Sequence, residues 1–247
     1  MKLSITILAL FLGLNLTVAQ KLKPVVYQDG EQKLNGLVSS NAGKKLPGVL
    51  ILPAWKGIDN EAKSAALELE KQGYITFIAD IYGEGNIPND NASASKIAGK
   101  YKEDYQAYQQ RISLALEELK KQGANPEKIA VIGYCFGGTG ALETARAGFP
   151  VAGVISIHGG LAKGNDRLNV PIKTKVLVEH PADDESVKPV DMTNLIAELK
   201  TGKTDFQIIT YANSKHTFTN PKSPDYNEVM TKRAWNHTLI FLKEILK

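Results

Sequence analysis

The sequence predicts an α/β protein: a mainly parallel sheet with helices on both faces, opened by an antiparallel hairpin. Three observations predict it. Strand-like and helix-like stretches alternate from about residue 22 to the end. GVLILP (48–53), KIAVIGY (128–134) and VAGVISI (151–157) are almost unbroken apolar runs, the pattern of strands buried on both faces. Asp29-Gly30, set between PVVYQ (24–28) and KLNGLVS (33–39), is a strong signal for a tight hairpin turn.

The elements follow in order. After strand 48–53, DNEAKSAALELEKQG carries Ala65, Ala66 and Leu69 at helical spacing and stops at Gly73, a natural C-terminal cap. YITFIAD (74–80) is a strand, followed by the glycine-rich turn YGEGNIPND and one long helical region over about 92–122. Strand 128–134 runs into a helix at 137–147. Strands 151–157 and 174–180 flank a polar stretch, 159–173, read as a plain surface loop. Helix 189–200, strand 205–211 and the amphipathic segment 226–246 complete the chain. Neither a Pro/Ser-rich linker nor a shift in composition divides it, so a single domain is expected over 20–247.

The first residues, MKLSITILALFLGLNLTVAQ, combine one basic residue with a short apolar run and small residues before a polar stretch. That is the pattern of a secretory signal peptide, with cleavage expected after Ala19. The run is too short to span a bilayer, and no later run is long enough. The expected product is exported, periplasmic or secreted, with no stable membrane insertion after signal removal. Charged residues make up 23% of the chain and the formal net charge is +4, spread as lysines among glutamates. With no basic stripe interleaved with aromatics, nucleic-acid binding is set aside.

In parallel sheets, chemistry gathers at the carboxyl ends of strands. The only cysteine in the chain, Cys135, stands at such an end in VIGYCFGGTG. Gly133, Gly137 and Gly138 surround it, as a nucleophile elbow requires: a strained turn needs neighbours without side chains. A helix begins at once, and its partial positive charge favours a thiolate. An exported chain with an unpaired cysteine is otherwise read as holding an inert buried thiol. A dinucleotide fingerprint, G-x-G-x-x-G, fails because its third position is cysteine, and a phosphate loop fails for want of Gly-Lys-Ser/Thr.

A cysteine nucleophile needs a base and an orienting acid. Strand 174–180 opens into PADDESV and strand 205–211 into ANSKHTF, so an acid loop and then a histidine loop follow. Nucleophile, acid, histidine is the order expected in the α/β-hydrolase fold. Of the four histidines, His216 is best placed to be the base, and Asp183 and Asp184 compete as the acid. His158, at a strand end, and Tyr82, in the turn after YITFIAD, are candidates to line the substrate pocket, with a hydrogen-bonded structural role the alternative for His158. His180 with Asp183 and Asp184 imitates a metal cluster but lacks a second histidine at ligand spacing, so no metal is expected.

Residues 24–247 resemble the dienelactone hydrolase family. The resemblance is carried by VVYQDGEQKLNG, WKGID, QGYITFIADIYGEG, GYCFGG, DDESV and KHTF, in that order. It implies Cys135 as nucleophile, His216 as base and Asp184, followed by Glu185-Ser186-Val187, as the acid. It also implies an oxyanion hole built from the backbone N–H groups of Phe136 and Trp55. It calls for no cofactor and for a small-molecule ester or lactone as substrate, cleaved through a thioester; monomer and dimer both stay open. Three positions depart from the family: Ala54 replaces a glutamate, Asn220 an arginine, and the turn after YITFIAD lacks another arginine. With Pro181, where glycine is usual, Ala54 motivates a rival reading as a non-catalytic binding protein; cleavage of a carbohydrate ester or peptide is a further one.

Overall fold

The computed structural model describes residues 21–164 and 166–247; the expected signal peptide lies outside them. Among these residues eight strands form one sheet: β1 (Lys23–Asp29), β2 (Gln32–Val38), β3 (Pro47–Leu52), β4 (Ile75–Ile78), β5 (Asn125–Tyr134), β6 (Gly153–Ile157), β7 (Lys175–Pro181) and β8 (Phe206–Tyr211). Their spatial order is β1-β2-β4-β3-β5-β6-β7-β8. The hairpin pairs in register from Lys23 opposite Val38 to Asp29 opposite Gln32, turning at Gly30 with φ +56°. β2 runs antiparallel to β4, and every later pairing is parallel. The expected mixed sheet with an N-terminal hairpin is therefore observed.

Among the described residues six helices cover the sheet: α1 (Asn60–Lys71), α2 (Asn91–Glu103), α3 (Tyr105–Lys121), α4 (Phe136–Arg146), α5 (Pro189–Thr201) and α6 (Glu228–Leu246). One face of the sheet packs Val49, Ile51, Ile132, Ile155 and Leu177 against Ala62, Ala66 and Leu69 of α1 and Leu242 and Leu246 of α6. The opposite face carries α2 to α5, with Leu50, Leu52, Val131, Val154 and Val176 beneath them. These strands are apolar throughout because both faces are covered. Among the described residues no helix is long and apolar enough to cross a membrane.

The long helical region expected over 92–122 is two helices. Asp104 breaks it with φ −93° and ψ 74°, closing α2 through its N–H to the Lys100 carbonyl and capping α3 by accepting the Ala107 N–H at 3.0 Å. Aspartate favours this double role because its short carboxylate reaches its own backbone neighbours. Asp59 and Asp90 cap α1 and α2 in the same way, accepting from Ala62 and Ser93. The cap at Asp59 has a functional consequence: it fixes where the chain leaves β3 and enters α1, and the WKGI stretch lies between.

Candidate active site

β5 ends at Tyr134 and α4 begins at Phe136, leaving Cys135 alone to turn the chain, with φ +52° and ψ −113°. A left-handed backbone of this kind costs on the order of 1–3 kcal/mol and persists only where the surroundings enforce it. Here they do. A Cβ on Gly133 would lie 1.8 Å from the Gly137 carbonyl oxygen, and one on Gly137 would lie 2.0 Å from the Leu52 carbonyl oxygen. Strand, elbow and helix thus approach to a distance that only glycine permits.

The Cys135 N–H donates to the Ile157 carbonyl oxygen at 3.0 Å and to His158 Nδ1 at 3.1 Å. Because His158 Nδ1 accepts, its ring proton sits on Nε2, which donates to Thr219 Oγ1 at 2.8 Å. The Thr219 hydroxyl in turn donates to Glu61 Oε1 at 2.6 Å. A chain of hydrogen bonds therefore runs from the elbow through His158 and Thr219 to α1. His158 is 1% exposed, and burial foremost, then the neighbouring His216, pushes its pKa down to about 3. It is a neutral support beneath Cys135. Of the two roles left open for it, the geometry matches the hydrogen-bonded structural one rather than the lining of a pocket.

The three strand ends converge above the elbow. His216 Nε2 lies 3.0 Å from Cys135 Sγ, and His216 Nδ1 lies 2.9 Å from Asp184 Oδ2. Of the two adjacent aspartates, Asp184 meets the ring, whereas Asp183 is exposed and donates its backbone N–H to the Ser214 carbonyl. Ser186 folds back over the acid: its N–H and its hydroxyl donate to Asp184 Oδ1 at 3.0 and 2.6 Å. Burial works against charge on His216, but its hydrogen bonds to Asp184 and Cys135 and their negative charges outweigh it, raising the pKa to about 10. Burial likewise opposes the charge of Asp184, and the bonds from His216 and Ser186 win, holding its pKa at about 2. His216 is the only hydrogen-bond partner of the Cys135 thiol among the described residues; Ala54 offers it none.

The two backbone amides expected to form an oxyanion hole belong to Phe136 and Trp55. Phe136 opens α4, so its N–H has no partner within the helix. Its ring is stacked on Tyr108 at 4.5 Å between centroids, and the Tyr108 hydroxyl donates to the Phe136 carbonyl at 3.0 Å. The Ala54 carbonyl accepts the Gly57 N–H at 2.9 Å, which fixes the peptide carrying the Trp55 N–H. Tyr82 donates to the Trp55 carbonyl at 2.8 Å. Tyr82 is 2% exposed, so it braces this loop from below and does not line a pocket as expected.

Beside the site is a cavity of about 450 Å³ walled by Tyr101, Tyr108, Thr139, Gly160, Ser186 and Val187. Leu161, Lys163 and Arg167 also face it, so the 159–173 stretch is more than the plain surface loop expected. Arg167 holds that stretch down, donating to both Glu143 carboxylate oxygens at 2.8 Å and lying over the Tyr105 ring. Ser186, Thr219 and Glu61 were not singled out by sequence. Only Ser186 left a trace, as a hydroxyl two residues after an aspartate, the spacing of a local side-chain turn.

The family model described as the dienelactone hydrolase family matches residues 34–246. The chain belongs to the dienelactone hydrolase family. It is thus a hydrolase of the ester- and lactone-cleaving kind, on an α/β-hydrolase fold. Among dienelactone hydrolase-like structures, a promiscuous phosphotriesterase, P91, from metagenomic libraries superposes with a TM-score of 0.86 at 29% identity, covering 92% of this chain and 99% of its own. A Bradyrhizobium protein named "Probable 2-oxo-3-(5-oxofuran-2-ylidene)propanoate lactonase" is 25% identical, over 87% of this chain and 90% of its own. A human carboxymethylenebutenolidase homolog is 26% identical, over 62% of each.

Proposed function

We propose that this protein is an exported hydrolase of small esters or lactones that works through Cys135, His216 and Asp184. The observation that carries the reading is the pair of contacts on one ring: His216 within 3.0 Å of the thiol and 2.9 Å of the Asp184 carboxylate. The names of the Bradyrhizobium and human relatives, a lactonase and a butenolidase homolog, support lactones as one substrate class.

The steps follow from this geometry. His216 holds the proton of Cys135, and the sulfur attacks the substrate carbonyl carbon. The oxygen left with the negative charge is met by the Phe136 and Trp55 N–H groups, each such donor contributing on the order of 3 kcal/mol to the transition state. The C–O bond to the leaving group breaks, and the departing oxygen takes the proton from His216. A thioester on Cys135 remains. Water then gives a proton to His216 and attacks the thioester; cleavage of the C–S bond releases the acid and returns the proton to the thiol–imidazole pair. Asp184 keeps the Nδ1 proton in place and stabilises the imidazolium throughout. The 450 Å³ cavity beside Ser186 is of a size to hold a small acyl or lactone group.

Hydrolysis of p-nitrophenyl acetate and of a butenolide tests this directly. Wild type is expected to turn both over and Cys135→Ala neither. Equal rates for the two proteins would overturn the assignment of Cys135. Export is tested apart, by N-terminal sequencing of protein recovered outside the cytoplasm, which should begin at Gln20; retention of Met1 would sink it.

A further inference from the structure

A second cavity is lined by Thr219, the hydrogen-bond partner of His158 Nε2. It is a cleft of about 560 Å³ between α1 and α6, floored by Tyr134, Ile157 and Glu179 at the ends of β5, β6 and β7. Cys135, Asp184 and His216 do not line it. Its size is that of a small-molecule site. The walls are apolar where Ala65, Leu67, Ala234 and Trp235 face one another across the cleft.

Two acidic residues that no cation neutralises, Glu61 and Glu179, are among those lining its inner end. Glu179 is fully buried; Thr238 donates to its Oε1 at 3.1 Å, and its Oε2 has no hydrogen-bond partner. Glu61 receives the Thr219 hydroxyl on Oε1. Among the described residues neither glutamate forms an ion pair. Burial holds the Glu179 pKa well above the ordinary carboxyl value. Burial, with a smaller push from Asp59, raises that of Glu61 to about 7 against the Thr219 bond and the charge of His216. An apolar cleft with an orphaned carboxyl oxygen buried just under its floor lacks one thing, a donor with an apolar body, and a cation satisfies two acids better than a neutral group does.

We propose that the α1–α6 cleft is a second ligand site, for a small organic amine whose apolar body lies against Trp235 and whose ammonium is directed at Glu61 and Glu179. The rim lysines, Lys63 and Lys222, point the rival way, toward a carboxylate, and that rival is carried into the test. An ammonium bound beside a protonated carboxyl favours the carboxylate, so uptake of the amine near neutral pH expels a proton from the protein. A purely apolar cleft has no reason to release one.

Titration calorimetry decides it, with 2-phenylethylamine, 2-phenylethanol and phenylacetate as probes of matched shape. Each is measured at pH 6.5 in two buffers of different ionisation heat. The protein is used after alkylation of Cys135 with iodoacetamide, so occupancy of the catalytic cavity does not contribute. The amine is expected to bind with proton release, at least tenfold more tightly than the alcohol or the acid. The preference is expected to fall at least tenfold in Glu61→Gln and in Ser64→Trp, a rim substitution on an exposed helix position that fills the mouth and leaves the buried acids intact. Equal binding of the three probes, tighter binding of phenylacetate, or amine binding without proton release would each overturn the proposal, as would no binding at all. Because the readout is binding to alkylated protein, a failure here leaves the hydrolase reading untouched, and a failure of hydrolysis leaves this one untouched.

Discussion

His158 accepts the backbone N–H of Cys135 at 3.1 Å and is itself held by Thr219 at 2.8 Å, so a side chain with no place in the proton transfers fixes the peptide of the proposed nucleophile. Removing Thr219 leaves two buried groups, His158 Nε2 and a Glu61 oxygen, short of a partner, at a cost of about 1–3 kcal/mol each. Thr219→Val is expected to lower kcat for p-nitrophenyl acetate by roughly tenfold to a hundredfold, the size set by a small misplacement of a reacting group, with KM little changed. Thr219→Ser, which restores the hydroxyl, should recover most of the loss. A rise in KM with kcat intact would assign Thr219 to substrate binding.

Asp184→Asn is expected to keep the fold and reduce kcat by on the order of a thousandfold or more, because an amide stabilises the wrong histidine tautomer. Asp183→Asn, at the exposed neighbour, should leave the rate within about twofold, as surface substitutions usually do. Steady-state kinetics on the pair decides between two residues that sequence alone left side by side.

How much could be read from the chain follows from where each residue stands relative to a strand. Cys135, Asp184 and His216 each follow an apolar run, so their convergence was legible without coordinates, and the glycines around Cys135 announced a close backbone approach. Asp104 was not legible as a break: its neighbours, KYKE and YQAY, continue the helical pattern, and only the local hydrogen bonds to Lys100 and Ala107 stop it. His158 and Tyr82 lie in the expected neighbourhood, but both are buried, and which of its two open roles His158 takes was not legible, since a strand end gives position but not the direction of a ring. The link from Thr219 to Glu61 joins residues 158 apart in sequence, a distance across which no periodicity speaks.

Stability should respond to pH through two histidines with opposite shifts. His158 is held near pKa 3, so the folded protein binds fewer protons than the unfolded chain between about 3 and 6.5, and stability falls as pH drops through that window. His216 is raised to about 10, so the folded protein binds more, and its contribution is complete below about 6.5 and lost as pH rises toward 10. Urea unfolding from pH 5 to 9 is expected to show His158→Gln flattening the acid limb and His216→Gln the alkaline one. Unchanged slopes would show that other groups govern both limbs.

Glycine substitutions separate close approach from mere flexibility. Gly137→Ala drives a methyl group to 2.0 Å from the Leu52 carbonyl oxygen and is expected to cost about 3 kcal/mol or more, or to prevent folding. Gly99→Ala, inside α2 with nothing within 4 Å of the new Cβ, should stabilise by about 1 kcal/mol. Thermal unfolding of the two variants reads both effects, and a stable Gly137→Ala protein would mean that the elbow relaxes more freely than its packing indicates.

The left-handed backbone at Cys135 also limits which chemistry this position can adopt over evolutionary time. A side chain branched at Cβ is a severe misfit at φ +52°, so threonine is barred there however well its hydroxyl would react. Serine and cysteine share an unbranched Cβ and differ only in the terminal atom. One codon change thus exchanges a thiol for a hydroxyl at the proposed nucleophile, with no redesign of strand, turn or helix.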